Sequence, residues 1–261
     1  MHMSIMLDPS WLTLAAMLVA ALAIGTVPFA ILSRVHRGRL SEPTRELAIH
    51  VMARIAAIHG LIIALIFTET YGGLEALRNS VFQEATTIAD VYHDASRAGE
   101  GRSQVRKAAR AYAQSIISSE WPSLEQKRVL SEESWTAWHA LRDAVLSLQA
   151  ATPAEIAVRD RLVNSTWQLE DLRQTRSSNA LAEVSPFLWA LTVAGLLLVA
   201  SLLFVYEATT LNTMMVAGFA LYTGLAIFMI FDIVHPYDGM TRLSPTPFAD
   251  ILAQMGPEQG D

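Results

Sequence analysis

Long apolar segments alternate with polar ones along the chain. Four apolar segments lie at residues 11–32, 47–68, 186–206 and 214–231. The first carries no charge, and as a helix it exceeds the hydrocarbon core of a bilayer, which is about 30 Å thick. The second becomes apolar after Arg54 and reaches spanning length by continuing to Thr68. We therefore predict four transmembrane helices. A signal peptide is disfavoured because residues 1–10 contain no Lys or Arg.

The segment between the second and third spans is polar, with helical periodicity. It holds 13 of the 19 Lys and Arg residues and 16 of the 25 Asp and Glu residues, so we expect it to be soluble. Its apolar residues recur every three or four positions, as in Leu74, Leu77, Val81, Ala85, Ile88 and Tyr92. The spacing predicts helices at about 74–92, 105–116, 132–149 and 153–181, the second ended by Trp121-Pro122.

These elements predict an all-α membrane protein in four parts. The parts are a transmembrane pair at 1–68, a soluble helical bundle at 69–185, a second transmembrane pair at 186–234 and an irregular tail at 235–261. The first bundle helix continues the second span through Gly72-Gly73, and little interrupts the last bundle helix before Pro186. Four tryptophans have the spacing of core residues, and we expect them to anchor the core, with contacts to a partner as the alternative for a minority; they are Trp121, Trp135, Trp138 and Trp167.

Composition narrows the classes of function. The chain is 52% hydrophobic and 17% charged. These percentages are averages over two parts of different composition, the apolar spans and the more polar bundle. It has no cysteine, so disulfides, thiolate nucleophiles and iron–sulfur clusters are excluded. The net charge of −6 offers no basic footprint for nucleic acid. No phosphate-binding loop, zinc-protease motif or nucleophile elbow occurs, so we predict neither an enzyme nor a cofactor.

The distribution of arginines leaves the orientation in the membrane open. The short loop after the first span carries Arg34, Arg37, Arg39 and Arg45, which by the positive-inside rule favours a cytoplasmic loop and an external bundle. Four arginines also flank the spans on the other side, namely Arg78, Arg173, Arg176 and Arg242.

A polar stripe on the second span is the first candidate site. Helical geometry places Glu46, His50 and Arg54 on one face together with Thr68, and His59 on the opposite face. Ionisable residues at membrane depth usually face a bundle interior or a water-filled path, so this face is a candidate lining for an ion route. The alternative is that the three ionisable residues lie among lipid headgroups, with Arg54 snorkelling.

Acidic residues near the last span are a weak candidate for a cation site. Glu207, Asp232 and Asp238 supply oxygen ligands of the kind that hard cations prefer. Their spacing matches no calcium-binding loop, and acids at helix ends are commonly solvated, so we predict no metal site.

Ten residues distributed along the chain carry a family resemblance. They are Glu84, Tyr112, Glu120, Trp121, Pro122, Arg161, Pro186, Trp189, Pro236 and Gly239. Their order and spacing resemble the bacterial bestrophin-like domain family, which is distantly similar to bestrophin anion channels. The resemblance covers the chain from about residue 47 to residue 251 and implies a multipass protein of the bacterial inner membrane.

The resemblance also implies an activity and an assembly. Bestrophin channels are pentamers lined by the second span. By that analogy we expect a homo-oligomer, with the pentamer as its form, that passes a small ion, an anion by preference. In such a pore Ile58, Ile62 and Ile66 would form a hydrophobic neck that gates by dewetting. The acidic run of the bestrophin calcium clasp is absent here, and the cytosolic bundle of bestrophins conflicts with the arginine-rich loop. The alternative function is a membrane-anchored sensor or scaffold whose bundle binds a ligand or partner.

Overall fold

The computed structural model describes residues 9–36, 40–98, 101–180 and 184–256, and within these ranges it contains helices and no strand. The helices are α1 (Pro9–Val35), α2 (Glu42–Ala95), α3 (Arg102–Ser115), α4 (Trp121–Lys127), α5 (Glu132–Leu146), α6 (Pro153–Ala180), α7 (Pro186–Leu202), α8 (Thr210–Ile233) and α9 (Thr246–Gln254). A π-helical turn, Ile116–Glu120, separates α3 from α4, and a 3-10 turn, Leu203–Val205, follows α7. The predicted all-α fold class is confirmed.

The chain forms two compact units. The first unit comprises residues 1–72 and 183–234, and the second comprises residues 73–182 and 235–261. Helix α2 therefore contributes its first part to one unit and its last part to the other. Four helices are long and apolar enough to cross a membrane, and they are Ser10–Val35, Glu42–Ala95, Pro186–Val205 and Thr210–Ile233. This confirms the four predicted spans.

Small residues bring α1 and α8 close together in the first unit. Gly25 faces Ala220, and a Cβ atom built on Gly224 would lie 2.6 Å from the Cβ of Ala21. The order of these two pairs makes the helices antiparallel. Each helix thus presents small residues four positions apart, which is the spacing that lets membrane helices approach at backbone distance.

The two predicted continuities between spans and soluble helices have different outcomes. Helix α2 passes through Gly72 and Gly73 without a break, as predicted. The second continuity is wrong, because residues 184 and 185 are not helical and α7 begins at Pro186. A residue before proline is disfavoured in the helical conformation, and Ser185 is extended at φ −49° and ψ 132°. Its hydroxyl accepts a hydrogen bond from the backbone N–H of Phe187 and caps α7.

The second unit is built around buried side chains from α3, α4, α5, α6, α9 and the last part of α2. Its fully buried large apolar residues include Leu77, Ile88, Tyr112, Ile116, Leu124, Trp138, Leu141, Leu162, Leu169 and Phe248. They follow the three- and four-residue spacing of the sequence, which aligns one side of each helix with the core. Trp121 and Trp138 are buried as predicted, whereas Trp135 and Trp167 are exposed, so the prediction of four core tryptophans is wrong for two.

The sequence predicted that Pro122 ends a helix, but the helical path continues through it. The π-helical turn precedes it, and α4 starts at Trp121 with the proline in its first turn. A proline in a helix interior lacks its N–H and clashes with the carbonyl four residues back. In this turn the N–H of Trp121 donates to the carbonyl of Ile116, five residues back, so the turn before the proline is wider than an α-helical one.

The tail predicted as irregular contains α9. Pro247 occupies the first turn of this helix, where its missing N–H is not needed, and Phe248, Ile251 and Met255 are buried at intervals of three and four residues. The apolar residues of this short proline-rich segment share one face and are buried within the second unit. Arg37 and Arg39, in the loop after the first span, lie outside the described residues.

Candidate functional site

The polar stripe of α2 lies on an exposed face of the first unit. Glu46, His50 and Arg54 are all exposed, and the nearest ring nitrogen of His50 is 3.9 Å from a carboxylate oxygen of Glu46. Thr68 is exposed further along, where its hydroxyl donates to the carbonyl of Ala64 at 2.8 Å. These four side chains therefore face away from the other helices of their own unit.

Apolar residues continue this face after Arg54. Ile58, Leu61 and Leu65 are each close to 60% exposed, at 58%, 59% and 62%. Ile62 is half-buried and Ile66 is buried, because these positions rotate toward the covered side of α2. Ile66 consequently packs inside its own chain and does not belong to the open face, which corrects its place among the candidate lining residues.

The covered side of α2 carries His59. Its side chain is 4% exposed, and neither ring nitrogen has a hydrogen-bond partner among the described residues. The ring lies against Gly195 of α7, where no side chain occupies the space. The two faces of this span therefore differ, with ionisable groups at one end of the open face and a single histidine on the covered face.

A buried ionic cluster lies in the second unit. Arg176 of α6 donates to Glu84 of α2 at 2.7 Å and also to Glu120 at the end of the π-helical turn. Arg173, one turn earlier, donates to Glu120 at 2.8 Å and to the carbonyl of Ser134 at 3.0 Å. Tyr112 of α3 donates its hydroxyl hydrogen to Glu84 at 2.7 Å. The cluster thus ties α2, α3, α5, α6 and the π-helical turn together.

The charges of this cluster balance. Two guanidinium groups face two carboxylates, and all four side chains are at most 1% exposed. Burial raises the pKa of Tyr112, and the neighbouring negative charge of Glu84 raises it further. The phenol therefore stays a neutral donor to the carboxylate. A buried pair of this kind is costly to break from one side, since the remaining charge is left without a partner.

Sequence reasoning singled out three members of this cluster and missed two. Glu84, Tyr112 and Glu120 were named for the family resemblance, whereas Arg173 and Arg176 were counted only as charges flanking a span. A signal was available, because both arginines continue the buried spacing of α6. That stripe is Val158, Leu162, Thr166, Leu169, Arg173, Arg176 and Ala180.

The remaining family-motif residues have mainly structural contacts. Trp121 donates from its indole nitrogen to the carbonyl of Leu243 at 3.3 Å and packs edge-on against Tyr237, with ring centroids 5.6 Å apart. Pro236 and Gly239 belong to the turn that follows α8, where the N–H of Gly239 donates to the carbonyl of His235 at 2.9 Å. These contacts hold the tail on the second unit.

Three further motif residues lie on α6 and α7. Arg161 of α6 is 3.3 Å from the carboxylate of Asp94 at the end of α2. Pro186 occupies the first position of α7, and Trp189 is half-buried one turn later. Because Arg161 is exposed, we expect this pair to contribute little to stability.

The acidic candidates for a cation site do not form one group. Among the described residues, no three His, Asp or Glu side chains come together as a metal site would require. Glu207 is exposed in the connection before α8, and Asp232 is buried at the end of α8. The carboxylate of Asp238 lies 3.8 Å from the guanidinium of Arg128.

The fold and these faces define a helical membrane protein with four candidate spans and a helical unit held by a buried ionic cluster. A family model described as a bestrophin-like domain matches residues 7–248. The chain belongs to the bestrophin-like domain family, as the motif residues predicted. No curated protein matches the chain.

Proposed function

We propose that this chain is one subunit of an oligomeric pore in the bacterial inner membrane, and that the pore conducts a small ion, by preference an anion. The open face of α2 lines the pathway. The observation that carries the proposal is the low coverage of this span. Only 11% of an apolar 18-residue stretch of α2 is buried, against 17%, 28% and 39% for the corresponding stretches of α1, α7 and α8. Copies of the same chain would cover it.

The ionisable residues at the start of this face favour a water-filled path over contact with lipid. A charged side chain facing acyl chains is costly, and intramembrane ionisable groups commonly face a cavity. His50 and Arg54 repeat at the interval of one helical turn, so a ring of copies would place a ring of basic groups at one mouth. Such a ring attracts anions, and Glu46 beside His50 would moderate it.

The apolar part of the face supplies a constriction. Ile58, Leu61 and Leu65 are the large exposed residues that follow Arg54 on the open side. In a ring of copies they form a narrow apolar section, in which water is unstable and ions do not pass until the section widens. This section replaces the predicted neck, since Ile66 is covered by its own chain.

The family supports the same function. Bestrophin-like proteins are distantly similar to bestrophin anion channels, in which five copies surround one pathway. By that analogy we propose a pentamer embedded in lipid. The calcium clasp of bestrophins has no equivalent in this sequence, so the proposed pore opens without calcium.

Mass and flux measurements test the proposal together. The purified complex is weighed in detergent by native mass spectrometry, then reconstituted into liposomes that contain a halide-sensitive dye. We expect a closed oligomer of about five copies and halide flux above that of empty liposomes. A verified oligomer without flux to any small ion would overturn the proposal. A monomer without flux would favour the membrane-anchored scaffold.

A substitution at the mouth tests the assignment of the lining. Arg54→Leu removes one basic group from each copy, and we expect a lower ratio of anion to cation permeability. Arg102→Leu is the matched control, because Arg102 is also exposed but lies at the start of α3 in the second unit. Equal flux and selectivity in both variants would remove Arg54 from the pathway.

A further inference from the structure

An exposed aromatic surface lies on α5 and α6 of the second unit. We call it the tryptophan surface and define it by Trp135, His139, Arg142, Leu146 and Trp167. Trp135 is 44% exposed and Trp167 is 52% exposed. The α5 members are separated by four, three and four residues, so they form one stripe along the helix. Large exposed aromatic side chains grouped in this way mark a site of interaction.

The members of the tryptophan surface hold one another in place. The ring of Trp135 stacks on the buried ring of Trp138, with centroids 5.1 Å apart and an angle of 16° between the planes. His139 lies edge-on to both rings, at 5.0 and 4.8 Å. The guanidinium of Arg142 lies 4.7 Å from the ring centroid of Trp167. A surface already ordered in this way has little conformational entropy left to lose on binding.

Another exposed aromatic residue lies on a different element of the same unit. Phe82 of α2 is 64% exposed, and it points away from the core because Glu84, about 200° around the helix, enters the buried cluster. Two turns further along, Asp90 is exposed about 80° around α2 from Phe82, with Thr86 exposed between them. We call Phe82, Thr86 and Asp90 the phenylalanine surface. It is apolar at one end and acidic at the other, whereas the tryptophan surface is apolar and basic.

We propose that the tryptophan surface of one copy binds the phenylalanine surface of the next copy. The proposal rests on the oligomeric pore proposed above and assigns its contact in the second unit. Phe82 would pack between the exposed indole rings, and Asp90 would approach Arg142 and His139. Tryptophan and arginine are the residues that most often dominate such contacts. Because the two surfaces differ, each copy offers one to each neighbour, and a contact of this kind generates a ring when the rotation between copies closes.

The absence of cysteine makes the contact directly testable. The chain contains no cysteine, so introduced thiols are the only ones present. The double variant Phe82→Cys, Trp167→Cys is treated in native membranes with a short bifunctional maleimide and analysed on denaturing gels. We expect a ladder of covalent multimers up to the size of the ring. Each single variant should remain monomeric, since a head-to-tail contact brings unlike positions together.

A control pair of cysteines and two contrary results complete this cross-linking test. In Phe82→Cys, Val129→Cys the second thiol occupies an exposed apolar position between α4 and α5, and we expect no ladder. Dimers from either single variant would indicate a symmetric contact and overturn the proposal. If brominated lipids quench tryptophan fluorescence in the wild-type protein and the quenching disappears in Trp167→Phe, then lipid covers the tryptophan surface. That result would also overturn the proposal.

A charge exchange tests the polar part of the contact. Arg142→Glu places a carboxylate opposite Asp90, so we expect the fraction of assembled complex to fall several-fold. Adding Asp90→Arg should restore assembly by exchanging the two charges, whereas Asp90→Arg alone should weaken it. Restoration excludes simple misfolding as the cause. If native mass spectrometry finds an oligomer and the ladder and restoration both fail, this contact is wrong and the pore proposal stands. A monomer would refute both.

Discussion

Gly195 of α7 lies against the imidazole ring of His59 in α2. A Cβ atom at position 195 would lie 2.8 Å from two of the ring carbons, inside normal contact distance. The histidine is buried, so it has little room to move away. We predict that Gly195→Val destabilises the first unit by about 1–3 kcal/mol, the usual cost of overfilling a packed site. Thermal unfolding in detergent, followed by circular dichroism, measures the effect.

Gly218 of α8 provides the matched control, because a Cβ atom built there meets no atom within 4 Å. We expect Gly218→Val to unfold within a few degrees of the wild-type protein. Equal losses in the two variants would mean that the contact with His59 does not limit the size of residue 195.

Removing Arg176 should be among the most damaging single changes in the second unit. Arg176→Met leaves Glu84 and Glu120 buried with one fewer cation, and breaking a buried pair from one side costs about 3–5 kcal/mol. The exposed pair of Arg78 and Glu75 serves as the control, so Arg78→Met should cost less than about 1 kcal/mol. Chemical denaturation monitored by tryptophan fluorescence distinguishes the two variants.

Replacing the whole cluster should be less harmful than replacing one member. When apolar residues of similar volume take the place of a complete buried ionic group, stability is often retained. We expect the combined variant Glu84→Leu, Glu120→Leu, Arg173→Met, Arg176→Met to recover part of the stability lost in Arg176→Met. A combined loss equal to or larger than the single loss would show that the cluster stabilises the unit in itself.

Two tyrosines should resist deprotonation in the folded protein. Burial raises the pKa of Tyr237, and burial with the charge of Glu84 raises that of Tyr112. A group with a raised pKa stabilises the fold fully below its unfolded pKa of about 10 and loses that contribution as the pH rises. We therefore predict alkaline unfolding that starts near pH 10.

The absorbance of tyrosinate at alkaline pH measures this prediction. In the folded protein, Tyr112→Phe should leave the absorbance change near pH 10 unaltered, because Tyr112 does not titrate there. In guanidinium chloride the same variant should lose about one of the six tyrosine contributions. A loss in the folded protein would show that Tyr112 is accessible to base.

The start of α6 should be sensitive to acid. A carboxylate oxygen of Glu155 accepts hydrogen bonds from the backbone N–H groups of Thr152 and Ala151, each at 2.9 Å, and the bond from Thr152 is the main cause of its lowered pKa. A lowered pKa stabilises the fold above the unfolded value, which is about 4.3, and the contribution disappears as the pH falls. Glu155→Gln should therefore lower the unfolding temperature at pH 7 and less so at pH 3.

Glu125→Gln tests whether this effect belongs to the cap. Glu125 is exposed on α4 and accepts no backbone hydrogen bond at a helix start among the described residues. Its substitution should shift the unfolding temperature equally little at both pH values. A pH dependence as large as that of Glu155→Gln would argue against the cap.

The spans and the helical character of the second unit were predictable from sequence. A run such as 11–32 has few alternatives to a membrane helix, since backbone groups in lipid must be bonded internally. The continuity of α2 was also predictable, because its apolar spacing resumes with Leu74 directly after Gly72-Gly73. Periodicity and length therefore sufficed for local structure.

The pairing of buried charges was not predictable in the same way. Arg173 and Arg176 are residues typical of a helix surface, and only contacts with residues 39 or more positions away make their burial favourable. Trp135 and Trp167 fail in the opposite sense, since their spacing suits a core but their side chains are exposed. In both cases contacts with other helices determine whether the side chain is buried, and helical spacing does not identify those contacts.

The π-helical turn Ile116–Glu120 determines which way the side chains of α4 point around the helix axis. A wider turn accommodates one extra residue, and in an α-helix one residue corresponds to a rotation of about 100°. With this extra residue, Glu120 and Trp121 are neighbours in sequence and both are buried, one against arginines and the other against Tyr237. Deleting one residue from the turn would rotate Pro122 and α4 away from the tail without changing the sequence of α4. The spacing of this segment is therefore as much a determinant of its contacts as the identity of its residues.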